Sequence, residues 1–189
     1  MREGPLLAVW ALLTAALIAV VLVRAEQRAV DDPVQKAARG EVHGLGALSL
    51  VREDRLGAVL AALAERYPGG RTVRLRVAPT RVDAGVRTGE YQVHNVQVDT
   101  GLGIDEISTS EGVERGLARV PAGAPERMLR AVNARSGTSP DDVDYLALTE
   151  TGNGAGWFLK LARGTRPDRR DYVARLDGTG VRGNWEPAP

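Results

Sequence analysis

Residues 5–23 read PLLAVWALLTAALIAVVLV, nineteen positions without a charge. At about 1.5 Å rise per residue, a helix of that length matches the roughly 30 Å hydrocarbon core of a bilayer. Leu6, Leu7, Val9, Leu12, Leu13, Leu17, Ile18 and Val20–Val23 put aliphatic surface all round such a helix. No polar face remains for lying along a membrane surface. The run also exceeds the core of about 7–15 residues of a cleaved signal, although a cut after Ala25 is the competing reading. The expectation is an uncleaved single-pass anchor, a transmembrane helix over 5–23 in contact with the lipid bilayer, behind a short tail at 1–4.

Orientation is read from the flanking cations. Arg2 precedes the span, and Arg24, Arg28, Lys36 and Arg39 follow it. That asymmetry favours a cytoplasmic C-terminal side. A resemblance described below implies export instead. The expected location is the cell membrane with the C-terminal domain extracytoplasmic, against the charge count.

The remainder must build its core from Val, Leu, Ile and Ala, because aromatics make up only 4% of the chain. Twenty-five basic residues against twenty-four acidic ones leave a net charge of +1, which gives no global pull toward nucleic acid. With no cysteine, disulfides, thiol catalysis and thiolate metal sites are excluded.

Residues 24–47 carry Pro33, Gly40, Gly44, Gly46 and scattered charges, and read as a tether. Leu56, Val59, Leu60, Leu63 and Tyr67 then fall on one face of a helix, with Ser49 as a possible N-cap and Pro68-Gly69-Gly70 as its end. Val73, Leu75 and Val77 alternate with Thr72, Arg74 and Arg76, a half-buried strand. Asp83-Ala84-Gly85 or Thr88-Gly89 marks a turn. Alternation resumes at Tyr91 and Val93 and changes phase at Val96 and Val98, which predicts a bulge near His94-Asn95. Residues 108–124, rich in Gly, Ser, Thr and Glu, read as a connector. Pro125 opens a second helix with Met128, Leu129 and Val132 inward and Gly137 as its stop. DVDYLALTET, GWFLKLARG and DYVARLDGTG read as three more strands. The predicted class is therefore α+β: an N-terminal transmembrane helix, then two helix-plus-antiparallel-sheet halves at 48–107 and 125–183, and a tail at 184–189; the opposite reading is one continuous α+β domain whose two helices cover one face of a single sheet.

The helix around Met128–Val132, the strands Tyr145–Leu148 and Trp157–Leu161, and the ending Tyr172-Val173-Ala174-Arg175-Leu176-Asp177-Gly178-Thr179-Gly180 carry a resemblance. Over about residues 121–183 the chain resembles a PepSY-like module of the peptidase-propeptide type. That family has no shared catalytic motif. The resemblance implies an extracytoplasmic interaction or regulatory module that acts on a peptidase or another envelope protein.

Chemical motifs are sparse. Gly178–Gly183 matches G-x-G-x-x-G, but Asn184-Trp185-Glu186-Pro187 follows where the dinucleotide fingerprint needs a helix. His43 and His94, the two histidines, lie in the tether and at the expected bulge, and read as unrelated surface residues. None of Ser49, Ser108, Ser110, Ser136 and Ser139 sits in G-x-S-x-G. Asp141, Asp142 and Asp144 lack the order and closing Glu of a calcium loop. Trp157 alternates with Leu159 and Leu161 as a core residue does, and Trp185 is open to either role. Arg163, Arg166, Arg169 and Arg170 crowd one loop and are the candidate contact for an anionic partner. The predicted function is non-catalytic: a membrane-anchored module, without cofactor or metal, that binds or regulates an envelope protein. A hydrolase using a serine or paired carboxylates between the halves is the alternative, and a cytoplasm-facing scaffold is the third reading.

Overall fold

Two α-helices and eight strands make up the residues that the computed structural model describes, 42–112, 116–151, 154–162 and 171–186. Helix α1 (Glu53–Arg66) turns Leu56, Val59 and Leu63 inward and carries Glu53 and Asp54 at its positive N-terminal end. Ser49 does not cap it. The N-cap is Arg52, and the buried Ser49 hydroxyl donates to the Gly44 carbonyl at 2.6 Å. Four strands follow as a meander: β1 (Arg71–Ala78), β2 (Arg81–Thr88), β3 (Gln92–Asp99) and β4 (Ile104–Glu111). Helix α2 (Ala124–Ser136) buries Met128, Leu129 and Val132 and ends on Gly137 at φ +67°, a left-handed conformation that glycine adopts without strain. A 3-10 turn at Pro140–Asp142 leads into β5 (Val143–Thr151), β6 (Gly154–Leu161), β7 (Asp171–Arg175) and the two-residue β8 (Arg182–Gly183).

The expected division into two halves is wrong, and the strand order agrees with the opposite reading of a single sheet. All eight strands form one antiparallel sheet in the order β4-β3-β2-β1-β5-β6-β7-β8. Arg76 and Val77 of β1 pair with Ala147 and Leu146 of β5, which joins the two meanders edge to edge. Left unjoined, each of these strands would present a row of unpaired backbone groups beside apolar side chains. The described chain is predominantly sheet, and a single core serves all of it. Val98, Val82, Val77, Leu146, Leu159 and Tyr172 form a continuous cross-strand row through the registers, and Val96, Ala84 and Leu75 form a second. Leu56, Val59 and Leu63 from α1 and Met128, Leu129 and Val132 from α2 pack onto that same face. Each such side chain contributes about 1.5–3 kcal/mol by leaving water.

Three local expectations also change. Of the two candidate turns, Asp83-Ala84-Gly85 is the middle of β2, whose Val82, Ala84 and Val86 face the core, and the chain turns at the other, with Gly89 at φ +65°. Strand β4 runs into the expected connector as far as Glu111. The bulge lies across from its expected place: β3 is in unbroken register with β2, and Ile107 of β4 is the extra residue between the pairs Asn95↔Ser108 and Val96↔Glu106. The phase change in β3 arises because Val93 is buried on the face opposite Val96 and Val98. Among the described residues no helix is long and apolar enough to cross a membrane. The span expected at 5–23, the tail before it and the tether to residue 41 lie outside the described residues.

Candidate functional site

Alternation gives the sheet a second face. Arg74 and Arg76 of β1, Asp83 and Gly85 of β2, Asn95 of β3, Ala147 and Tyr145 of β5 and Phe158 of β6 point away from α1 and α2. Near the middle of this open face a shallow hollow of about 440 Å³ runs across the strands from Ala147 to Ile107, with Gly85 between them. Ile107, displaced by the bulge, is 65% exposed. Gly85 allows this shape: a Cβ there would lie 3.3 Å from Arg74 Nε. The guanidinium of Arg76 sits 4.0 Å from the centroid of the Tyr145 ring, and that ring tilts against Phe158 at 6.4 Å. Arg74 Nη2 donates to Asn95 Oδ1 at 3.0 Å, and Asn95 Nδ2 donates in turn to Ser108 Oγ at 3.1 Å. Lys160 and Asp171, also on this face, pair at 2.6 Å.

A polar cluster lies on the covered side where α1 ends. Glu106 Oε2 accepts from the Tyr67 hydroxyl at 2.9 Å, and Oε1 accepts from Thr109 Oγ1 and from His94 Nδ1, both at 3.0 Å. Since the carboxylate can only accept, Nδ1 carries the proton, and in the neutral ring Nε2 accepts from Thr88 Oγ1 at 2.9 Å. These bonds, that of His94 foremost, hold the Glu106 carboxyl down at about 2. Burial first and Glu106 second push the Tyr67 phenol up. His94 is therefore no isolated surface residue. The order hydroxyl, imidazole, carboxylate is the one that activates a nucleophile. Here Tyr67 lies across the imidazole at 4.8 Å and shares the carboxylate with Thr109, so the cluster ties α1 to β2, β3 and β4. A larger hollow, about 670 Å³, lies between α1 and residues 118–123, and among the described residues no ion pair joins its charged lining residues Glu53, Arg119 and Arg127.

The residues singled out from sequence are distributed as follows. Arg163, Arg166, Arg169 and Arg170 lie outside the described residues. Gly178 and Gly180, at φ +80° and +64°, belong to a turn in which Asp177 Oδ1 accepts from the Thr179 backbone and hydroxyl, and the chain then enters β8. Ser139 caps the 3-10 turn and Asp142 returns the bond to its backbone, which accounts for both. Ser136 donates to the Val132 carbonyl, and Ser108 and Ser110 take part in the Asn95 network. Trp157 is fully buried, and Trp185, 46% exposed, meets Tyr172 edge-on at 5.4 Å. Among the described residues no three His, Cys, Asp or Glu side chains are grouped to hold a metal. The open face escaped the sequence reading, although the signal was present in Arg74 and Arg76 alternating with Val73, Leu75 and Val77. Comparison with protein-family models, curated proteins and solved structures finds no match to the chain.

Proposed function

We propose that this protein is a membrane-anchored, non-catalytic binding module that presents the open face of its sheet to another protein of the cell envelope. One observation carries the reading: both helices and the contiguous apolar cluster occupy one side of the sheet, while the other, where Val93 alone of the β3 valines is buried, bears arginines, a tyrosine, a phenylalanine and a hollow that neither helix covers. A bare sheet face with guanidinium and aromatic groups is the composition that protein interfaces favour. The uncharged segment 5–23 supplies the tie to the bilayer, and the resemblance of residues 121–183 to PepSY-like modules supports an extracytoplasmic domain. The test is a photo-crosslinking amino acid placed in the full chain in native membranes, at position 147 on the open face or at position 61 on the exposed side of α1. A discrete protein adduct from 147 and none from 61 is the expected result, and equal or absent adducts defeat the reading. A reporter fused after Pro189, active on one side of the membrane only, fixes the orientation.

The hydrolase reading has one observation in its favour, the Thr88–His94–Glu106 chain of bonds. It predicts hydrolysis of a p-nitrophenyl ester by the purified protein that is abolished in Thr88→Val. A cluster that only ties α1 to β2, β3 and β4 predicts no such hydrolysis.

A further inference from the structure

We infer that the open face is shaped for a carboxylate-rich segment of the partner protein, with an adjoining aliphatic or aromatic side chain of that segment seated over Gly85. The inference rests on the binding-module reading and names the chemistry of its partner. Arg74 and Arg76 stand two residues apart on one face of β1, roughly 6.6 Å along the strand. Both guanidinium groups are held by neutral partners, Arg74 by the Asn95 amide oxygen and Arg76 by the Tyr145 ring. Such partners orient a cation without neutralising it. Among the described residues the one acid in the wall of the hollow is Asp83, which faces Arg76 across the strand pair, and its carboxylate is engaged by Arg81 Nε at 3.1 Å. The patch thus keeps two oriented positive charges in excess. Orienting them beforehand lowers the ordering cost of binding, and a guanidinium fork matches a carboxylate in shape.

The floor of the hollow selects the class of anion. Gly85, Ala147 and Ile107 line it with apolar surface directly beside the two guanidinium groups. A phosphate polymer or a lipid headgroup layer has nothing to place there, and lipid surfaces recruit clusters of about 4–8 cations rather than a pair around an apolar recess. A protein segment carries both features within a few residues.

The experiment uses the full chain in nanodiscs of neutral lipid and a fluorescein-labelled peptide containing two Glu-Leu-Glu clusters. Two control peptides replace Glu with Gln or Leu with Gly. The expected result is saturable binding of the first peptide, weakened about tenfold by either replacement and about tenfold by Arg74→Gln combined with Arg76→Gln. Ile107→Ser, at a position too exposed to matter for folding, weakens it severalfold. Melting curves of the variants confirm that they remain folded. Equal binding of the Gln peptide, or undiminished binding by the double arginine variant, overturns the proposal. So does protection of β1 and β2 from hydrogen exchange by phosphatidylglycerol vesicles in the absence of peptide binding. If position 147 crosslinks to a protein in membranes while the peptide series shows no preference for Glu, the acidic occupant is wrong and the binding module stands. If position 147 captures no protein, the module itself is wrong.

Discussion

The two faces of this sheet are built by different physics. On the covered face, side chains from seven strands and two helices exclude water from one another, and nearly every contact is aliphatic or aromatic. Order there is enforced by volume. On the open face order comes from pairs: Arg76 on Tyr145, Arg74 on Asn95, Lys160 on Asp171, Arg81 on Asp83. Each pair is worth little to stability when water can reach it. The contrast teaches that the same strands can carry the fold on one side and leave the other free to be selected for contact.

The largest expected effect tests the covered face. Trp157 is fully buried, and its Nε1 donates to the Leu176 carbonyl at 2.9 Å. Trp157→Ala removes the ring, leaves a cavity and strands that carbonyl, and should cost about 3–5 kcal/mol of unfolding free energy in urea titration. Phe158→Ala, the next residue along the strand but on the opposite face, should cost clearly less. Equal losses would erase the distinction between the faces.

Next comes the turn that closes onto α2. Gly178 has φ +80°, and a Cβ added there would collide with the Ala124 carbonyl oxygen. Gly178→Ala therefore combines a disfavoured backbone with a backbone collision and should lower stability by about 1–3 kcal/mol, read as a drop in melting temperature. Gly180→Ala, with no neighbour nearer than Arg175 at 3.5 Å, meets the backbone penalty alone and should be the milder of the two.

How much of this was legible depends on which face a residue serves. The helices could be read because Leu56, Val59 and Leu63, and then Met128, Leu129 and Val132, repeat with the helical period that the core demands. Strands β1, β5 and β6 showed the same pressure at period two. Strand β2 was hidden because Asp83 and Gly85 belong to the open face, where hydrophobicity is not required, and together they resemble a turn. Strand β4 was hidden because it is an edge strand whose Ser108, Thr109 and Ser110 are all exposed. The joining of two expected halves into one sheet rests on the contact of β1 with β5, about seventy residues apart, and local pattern has no access to it. Thr88, His94 and Glu106 likewise become neighbours only through the registers of β2, β3 and β4.

That cluster yields a pH test on the covered side. The Glu106 carboxyl is lowered from 4.5 to about 2 in the folded chain, so folding favours its ionised form. The stabilisation is complete above about pH 4.5 and is lost as pH falls from there through about 2. Tyr67, His94 and Thr109 supply it. Glu106→Gln should flatten the fall in melting temperature over that window relative to the unaltered protein. An identical acid profile would mean that the bonds to Glu106 do not persist in solution.

The smallest effect bears most directly on the open face. Arg76 covers one side of the Tyr145 ring, and an exposed cation–π contact is worth about 0.5–1 kcal/mol. Arg76→Gln forfeits that contact while leaving the buried row through Val77 untouched, so unfolding free energy should fall by no more than about 1 kcal/mol. Arg76→Lys keeps the charge but not the planar stack and should lie between the two. The same pair of substitutions separates stability from recognition: with the fold nearly intact in both, crosslinking from position 147 should drop strongly for Gln and only partly for Lys. If Arg76→Gln unfolds the protein as readily as Trp157→Ala does, the open face is bearing the fold after all, and its arginines are not available to a partner.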